Sequence, residues 1–89
     1  MNDFFRRSRH DARIGAVHIS MYVSLLELWQ ESGMKPSLFV FSYEVMPLCK
    51  ISASSTYYKT IRQLDEYGYL KYTASYNHFV GSVVCFDSN

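Results

Sequence analysis

The side chains best suited to chemistry in this sequence are polar ones spaced along residues 54–62. Lys59 and Arg62 are cationic donors three residues apart. Hydroxyl groups accompany them on Ser54, Ser55 and Tyr58. Cationic donors and hydroxyls of this kind bond phosphate oxygens, and arginine or lysine can also bond guanine edges. The chemistry that these residue types support is therefore binding rather than bond making.

Residue types used in catalysis and metal binding are present, but they do not stand in functional patterns. Cys49 and Cys85 lack CxxC spacing and a histidine at zinc-finger distance, so we interpret them as two small buried thiols. His10 and His18 have no further ligand at metal-binding spacing. A glycine-rich phosphate loop and the GxSxG and HExxH patterns are also missing. We predict no enzyme activity, no metal and no cofactor.

The composition is that of one small folded domain. The chain has 89 residues, of which 48% are hydrophobic and 17% aromatic, and this argues against disorder. Its net charge of +1 does not by itself indicate a nucleic-acid partner. No stretch approaches the roughly 20 apolar residues of a membrane span, and the N-terminus lacks the apolar core of a signal peptide. We expect a cytoplasmic protein with no membrane contact.

Positive charge is concentrated at the N-terminus. Residues 1–13 have four arginines against two aspartates, a net charge of +2, whereas residues 14–89 sum to −1. Phe4 and Phe5 are the only apolar pair in the first segment. We predict a flexible basic arm over residues 1–13 and a folded domain over 14–89. The arm is either a frayed terminus or a segment that touches phosphate or a partner.

The clearest helix is predicted over residues 16–33, where apolar residues recur at helical spacing and Gly33 is placed to end the helix. The helix is apolar over most of its circumference. Its narrow polar edge consists of Ser20, Ser24, Glu27 and Glu31. Such a helix is either deeply buried or partly used in a subunit contact. We expect a homodimer formed through residues 16–29.

Shorter elements are predicted on both sides of residues 54–67. The β-branched and aromatic run at 37–42 favours a short strand, and a helix follows over about 43–50. Pro47 must lie in the first turn of that helix or bend it. Two further strands are predicted at 69–73 and 81–86, joined by turn-forming residues. These strands form a hairpin.

Residues 54–67 have the pattern of a helix with two different faces. Tyr57, Ile61 and Leu64 follow helical spacing on one face, and the polar residues Ser55, Tyr58, Lys59 and Arg62 fall on the other. Ser52 or Ser54 is placed to cap the start. Gly68 is placed to end the helix in the left-handed conformation. One face is predicted to pack while the other remains available for contacts.

The order of these elements resembles the winged helix-turn-helix family over about residues 16–87. The most specific part is ISASSTYYKTIRQLDEYGYLKY, whose hydroxyl-rich turn, spaced core residues, acidic pair and glycine match the family pattern at Thr56, Tyr57, Ile61, Leu64, Asp65, Glu66, Gly68 and Leu70. The chain is also similar to small winged-helix proteins of bacterial mobile elements. Three features depart from the pattern: a slightly acidic domain, Pro47 inside a helix, and a turn without glycine.

The resemblance implies an α+β fold with three helices, a short strand and a C-terminal β-hairpin wing. It also implies sequence-specific binding of double-stranded DNA by a transcriptional regulator or a mobile-element accessory factor. The implied DNA-binding residues lie on the helix at 54–67, on the hairpin and on the wing tip: Ser54, Ser55, Tyr58, Lys59, Arg62, Lys71, Asn77 and His78. The near-neutral charge and the tyrosines leave open a winged-helix module that binds proteins and not DNA.

Overall fold

A computed structural model of the protein describes residues 4–74 and 81–86. Within these ranges the chain is an α+β fold with four helices and a three-stranded antiparallel sheet. In chain order the elements are α1 (Phe4–Ser8), α2 (Ala16–Glu31), β1 (Leu38–Val40), α3 (Ser42–Cys49), α4 (Ser54–Glu66), β2 (Leu70–Thr73) and β3 (Ser82–Phe86). The predicted helices at 16–33, 43–50 and 54–67 correspond to α2, α3 and α4 to within two residues at each end.

The sheet has the order β1-β3-β2, so that the last strand lies in the middle. Val84 of β3 pairs with Leu38 of β1 and with Tyr72 of β2. Val84 and Leu38 are buried, and the helices cover this face of the sheet. Gly81, which directly precedes β3, lies very close to the backbone of β1. A Cβ at this position would be only 2.7 Å from the carbonyl oxygen of Val40. Only glycine fits beside β1 without displacing it.

The polar edge of α2 is divided between the interior and the surface. Ser24 is buried and donates a hydrogen bond to the Ser20 carbonyl at 2.8 Å. The Ser20 hydroxyl donates to the Cys49 carbonyl at the end of α3, at 3.0 Å. The two serines therefore face α3, whereas Glu27 and Glu31 are exposed. The solvent side of α2 also exposes Ile19 and Val23.

Helix α3 contains Pro47 beyond its first turn, at the sixth of eight residues. Because proline has no N–H, it interrupts the hydrogen-bond ladder near the helix end. Lys50 follows in the left-handed conformation with φ 61°, and the Ile51 N–H then donates to the Met46 carbonyl at 3.0 Å. The helix thus ends within one turn of its proline.

The N-terminal segment differs from the flexible arm expected over residues 1–13. Residues 4–8 form helix α1, and Phe4 is only 2% exposed. Its ring stacks on that of Tyr22 of α2, with centroids 3.9 Å apart and planes 5° apart. The same ring also meets the Tyr69 ring edge-on at 5.2 Å. Phe4 therefore belongs to the hydrophobic core, and its ring packs α1 against α2.

This burial makes the two neighbouring phenylalanines a matched pair for mutation. Phe4→Ala should lower the free energy of unfolding by about 3 kcal/mol or more, because it removes a fully buried ring. Phe5 is 51% exposed, so Phe5→Ala should cost no more than about 1 kcal/mol. Thermal unfolding would show the difference as a Tm fall of about 12 °C or more for Phe4→Ala alone. Equal small effects of both variants would contradict the core position of Phe4.

Candidate functional site

Helix α4 is positioned by the apolar face that its sequence predicted. Tyr57, Ile61 and Leu64 are buried, and the helix packs against α2, α3 and β2. Thr60 is buried as well, which the spacing of apolar residues did not indicate. Its hydroxyl donates to the Thr56 carbonyl one turn earlier at 2.7 Å, so the group is not left without a partner. Burial raises the pKa of the Tyr57 hydroxyl above its ordinary value.

The opposite face of α4 brings together the polar residues predicted for it. Ser54, Ser55, Tyr58, Lys59 and Arg62 are all exposed. A shallow groove on this face is lined by Ser55, Tyr58, Lys59, Arg62, Gln63 and Glu66. Sequence reasoning missed Gln63, although the four-residue steps from Ser55 through Lys59 lead directly to it. The site is therefore an open surface along one helix rather than an enclosed pocket.

The first turn of α4 has no side-chain cap. Its N-cap residue is Ala53, and neither Ser52 nor Ser54 caps the helix as predicted. Residues 52–56 are all exposed. The N–H groups at a helix start carry partial positive charge and favour anionic ligands. This end of the groove is thus electrostatically suited to an anion, together with the nearby hydroxyls.

The opposite end of α4 runs directly into the hairpin. Gly68 has the left-handed φ of 84° predicted for it, and the Tyr69 N–H donates to the Leu64 carbonyl at 3.0 Å. Lys71 is exposed on β2. The predicted wing-tip residues Asn77 and His78 lie outside the described residues.

A basic residue of the N-terminal segment contacts the junction between α4 and β2. The Arg7 guanidinium donates to the Gly68 carbonyl at 3.1 Å and lies 4.6 Å from the centre of the Tyr69 ring. The stacked position adds a cation–π contact to the hydrogen bond. Arg7 therefore has a structural role at the end of α4. Arg6 and Arg9 are exposed and have no partner in the part of the chain that the structure describes.

Asp11 connects the same segment to the start of β2. Its carboxylate accepts two hydrogen bonds from the Arg13 side chain, both at 2.8 Å, and one from the Tyr69 hydroxyl at 2.8 Å. These bonds, with Arg13 contributing most and Tyr69 next, hold the pKa of Asp11 well below its usual range. The Arg13 guanidinium also lies 4.0 Å from the centre of the Tyr67 ring. We call the contacts of Arg7, Asp11 and Arg13 with residues 67–69 the N-terminal clasp.

Charge on the groove is modest and positive. Lys59 and Arg62 face one carboxylate, that of Glu66. Asp65 lies at the edge, where its carboxylate accepts a long hydrogen bond of 3.4 Å from the Tyr72 N–H. Neither Lys59 nor Arg62 has a protein partner among residues 4–74 and 81–86. Both cations are therefore available to an external anion.

Among the described residues no group of three or more His, Cys, Asp or Glu side chains could hold a metal ion. Cys49 is buried and Cys85 half-buried, both as free thiols, and burial raises the pKa of Cys49. Over the same residues no helix combines the length and the apolar character needed to cross a membrane.

Comparison with known proteins identifies no relative. No protein-family model, no curated protein and no solved structure matches this chain.

The lowered pKa of Asp11 makes the stabilising effect of the N-terminal clasp depend on pH. Because the folded-state pKa lies below the unfolded value, ionised Asp11 stabilises the fold above about pH 4, and this contribution is lost as pH falls. Asp11→Asn should lower the Tm at pH 7. This gap in Tm between the variant and wild type should narrow below about pH 4. Glu27→Gln, at an exposed position of α2, is the control and should show no such gap. A gap that persists or widens at low pH would contradict the clasp.

Proposed function

We propose that this protein binds double-stranded DNA through the outer face of α4. The observation that carries the proposal is the division of this helix into two sides. One side is fully occupied by the core through Tyr57, Ile61 and Leu64, and the other exposes two cations that have no partner in the described chain. The major groove of B-DNA admits one helix and displays acceptors on guanine and on phosphate.

The arrangement of the neighbouring elements supports the same proposal. α3 and α4 follow each other closely, and β2 and β3 pair as a hairpin after α4. This is the order expected from the winged helix-turn-helix resemblance. In that arrangement the start of the reading helix lies deepest in the groove, which favours Ser55, Tyr58 and Lys59 for base contacts.

The remaining predicted residues take supporting roles in this proposal. Ser54 at the uncapped helix start and Arg62 bond phosphate oxygens. Lys71 on β2 reaches the backbone, and Asn77 and His78 stay predictions for the wing tip. Contacts of this kind position a protein on DNA, while base contacts give specificity. A transcriptional regulator or a mobile-element accessory factor is the role we propose for such a protein.

A homodimer through α2 is part of the proposal. Ile19 and Val23 lie one turn apart and are 36% and 42% exposed. Two apolar side chains on one solvent-facing stripe can pack against the same stripe of a second copy. Two copies would read two half-sites and multiply the specificity of one small module.

The salt dependence of DNA binding tests the main proposal. Fluorescence anisotropy with a mixed-sequence duplex pool should show binding that weakens steeply as salt rises. Lys59→Ala together with Arg62→Ala should lower affinity at least tenfold. The salt slope should fall by about 0.9 for each of the two cations that neutralises a phosphate. Lys35→Ala, outside α4, is the matched control and should leave both unchanged. Absence of binding by the wild type at low salt would refute the proposal.

The dimer is tested by sedimentation. Wild type should sediment as a dimer at high micromolar concentration, and Ile19→Glu with Val23→Glu should give a folded monomer because it places charge in the contact. Met34→Glu replaces another exposed apolar residue, outside α2, and should leave the dimer intact. A monomeric wild type would contradict the α2 contact.

A protein-binding role is the second candidate, and exposed aromatic residues favour it. Tyr43 is 71% exposed, and Phe39 lies exposed on the outer face of the sheet. Aromatic side chains are enriched in protein interfaces because they bring large area at low entropic cost. Tyr43→Ser and Phe39→Ser should leave DNA affinity unchanged under the first proposal. Failure of the wild type to bind DNA would shift the assignment to this second role.

A further inference from the structure

The hydrogen-bond partners of His18 select its tautomer. His18 is buried at the third position of α2, and its Nδ1 lies 3.0 Å from the backbone nitrogen of Gly15. A backbone N–H can only donate, so Nδ1 is the acceptor of this bond. This contact closes the start of α2 in the manner of a capping box. The geometry therefore assigns the ring proton to Nε2.

This tautomer decides which way the amide of Gln63 points. The His18 Nε2 lies 2.7 Å from the Gln63 Oε1 on α4. Because Nε2 carries the proton, it donates, and the amide oxygen must be the atom that faces it. A flipped amide would set an N–H group against an N–H group. The Gly15 N–H thus selects the tautomer of His18, and that tautomer selects the orientation of the Gln63 amide.

The same bond leaves the amide nitrogen of Gln63 available to an external ligand. Gln63 lines the α4 groove beside Lys59 and Arg62. Its amide nitrogen has no partner among the described residues. Every buried side-chain nitrogen or oxygen of these residues has a partner, so this nitrogen must reach the surface. Gln63 therefore offers N–H donors to the groove, while His18 uses one of the two lone pairs of its oxygen.

We propose that Gln63 is a binding residue of the α4 groove, that it donates through its amide nitrogen, and that His18 positions it. The inference rests on the proposed DNA binding. His18 holds the amide by its oxygen, so the nitrogen is presented to acceptors on the DNA. Guanine O6, purine N7, thymine O4 and the phosphate oxygens are such acceptors.

Affinity for two matched duplexes, one of G·C pairs and one of A·T pairs, tests this proposal. Gln63→Leu should lower affinity for the G·C duplex about tenfold. Equal losses on both duplexes assign the acceptor to phosphate or to purine N7, and a loss confined to G·C assigns it to guanine O6; either result supports a donor role. His18→Glu keeps an acceptor for the Gly15 N–H but offers no donor to the Gln63 oxygen. The amide nitrogen should then turn toward the carboxylate and away from the groove, so affinity for DNA should fall as it does in Gln63→Leu. Gln63→Glu should weaken binding to both duplexes, because it directs a carboxylate at DNA.

Nitrogen NMR of His18 in the free protein provides a readout that needs no DNA. We expect Nε2 to be protonated and Nδ1 unprotonated, and the opposite tautomer would overturn the inference. Loss of binding in the Lys59 and Arg62 variants with unchanged binding in Gln63→Leu and His18→Glu would also overturn it, while DNA binding would stand. Wild type that binds neither duplex would overturn both.

Discussion

Burial of the inward face of α4 is the interaction on which the rest of the structure depends. Tyr57, Ile61 and Leu64 fill the space between α2, α3 and the sheet, and each is almost completely removed from water. A domain of this size has few such residues, and each full burial is worth about 1.5–3 kcal/mol. Because the inward face is used for packing, the outward face is held in a fixed orientation. Packing of the inward face therefore fixes the positions of the groove residues.

The N-terminal clasp holds the end of the same helix. Arg7 bonds the carbonyl of Gly68, and Asp11 and Arg13 engage the tyrosines on either side of that glycine. The clasp changes what the arginine-rich N-terminus can do. Arg7 and Arg13 are committed to tyrosine rings, and only Arg6 and Arg9 of the four arginines have no partner in the described chain. The N-terminal segment therefore leaves two of its four arginines for an external contact.

Sequence reasoning succeeded where one physical rule was dominant. The apolar stripe of α4 and the glycine that ends it were both predictable, because helical period and left-handed backbone each leave a clear pattern. It failed where the pattern was ambiguous, where an element was too short to have a pattern, and where a contact joined residues distant in sequence. Helix α2 is apolar nearly all round, so its pattern could not show that Ser20 and Ser24 face α3. Helix α1 is too short for periodicity, and only the tertiary contact of Phe4 with Tyr22 reveals it. Gln63 looked like ordinary surface, and its link to His18 spans 45 residues of sequence.

Backbone amide chemical shifts followed during titration with a mixed-sequence duplex test the central claim most directly, because they locate the contact on the molecule. We expect saturable shifts concentrated at residues 54–63, with smaller changes at Lys71. Because we expect the protein to be a dimer before DNA is added, the amide shifts around Val23 on the solvent side of α2 should not change. Saturable shifts confined to the sheet around Phe39, with α4 unchanged, would contradict the account.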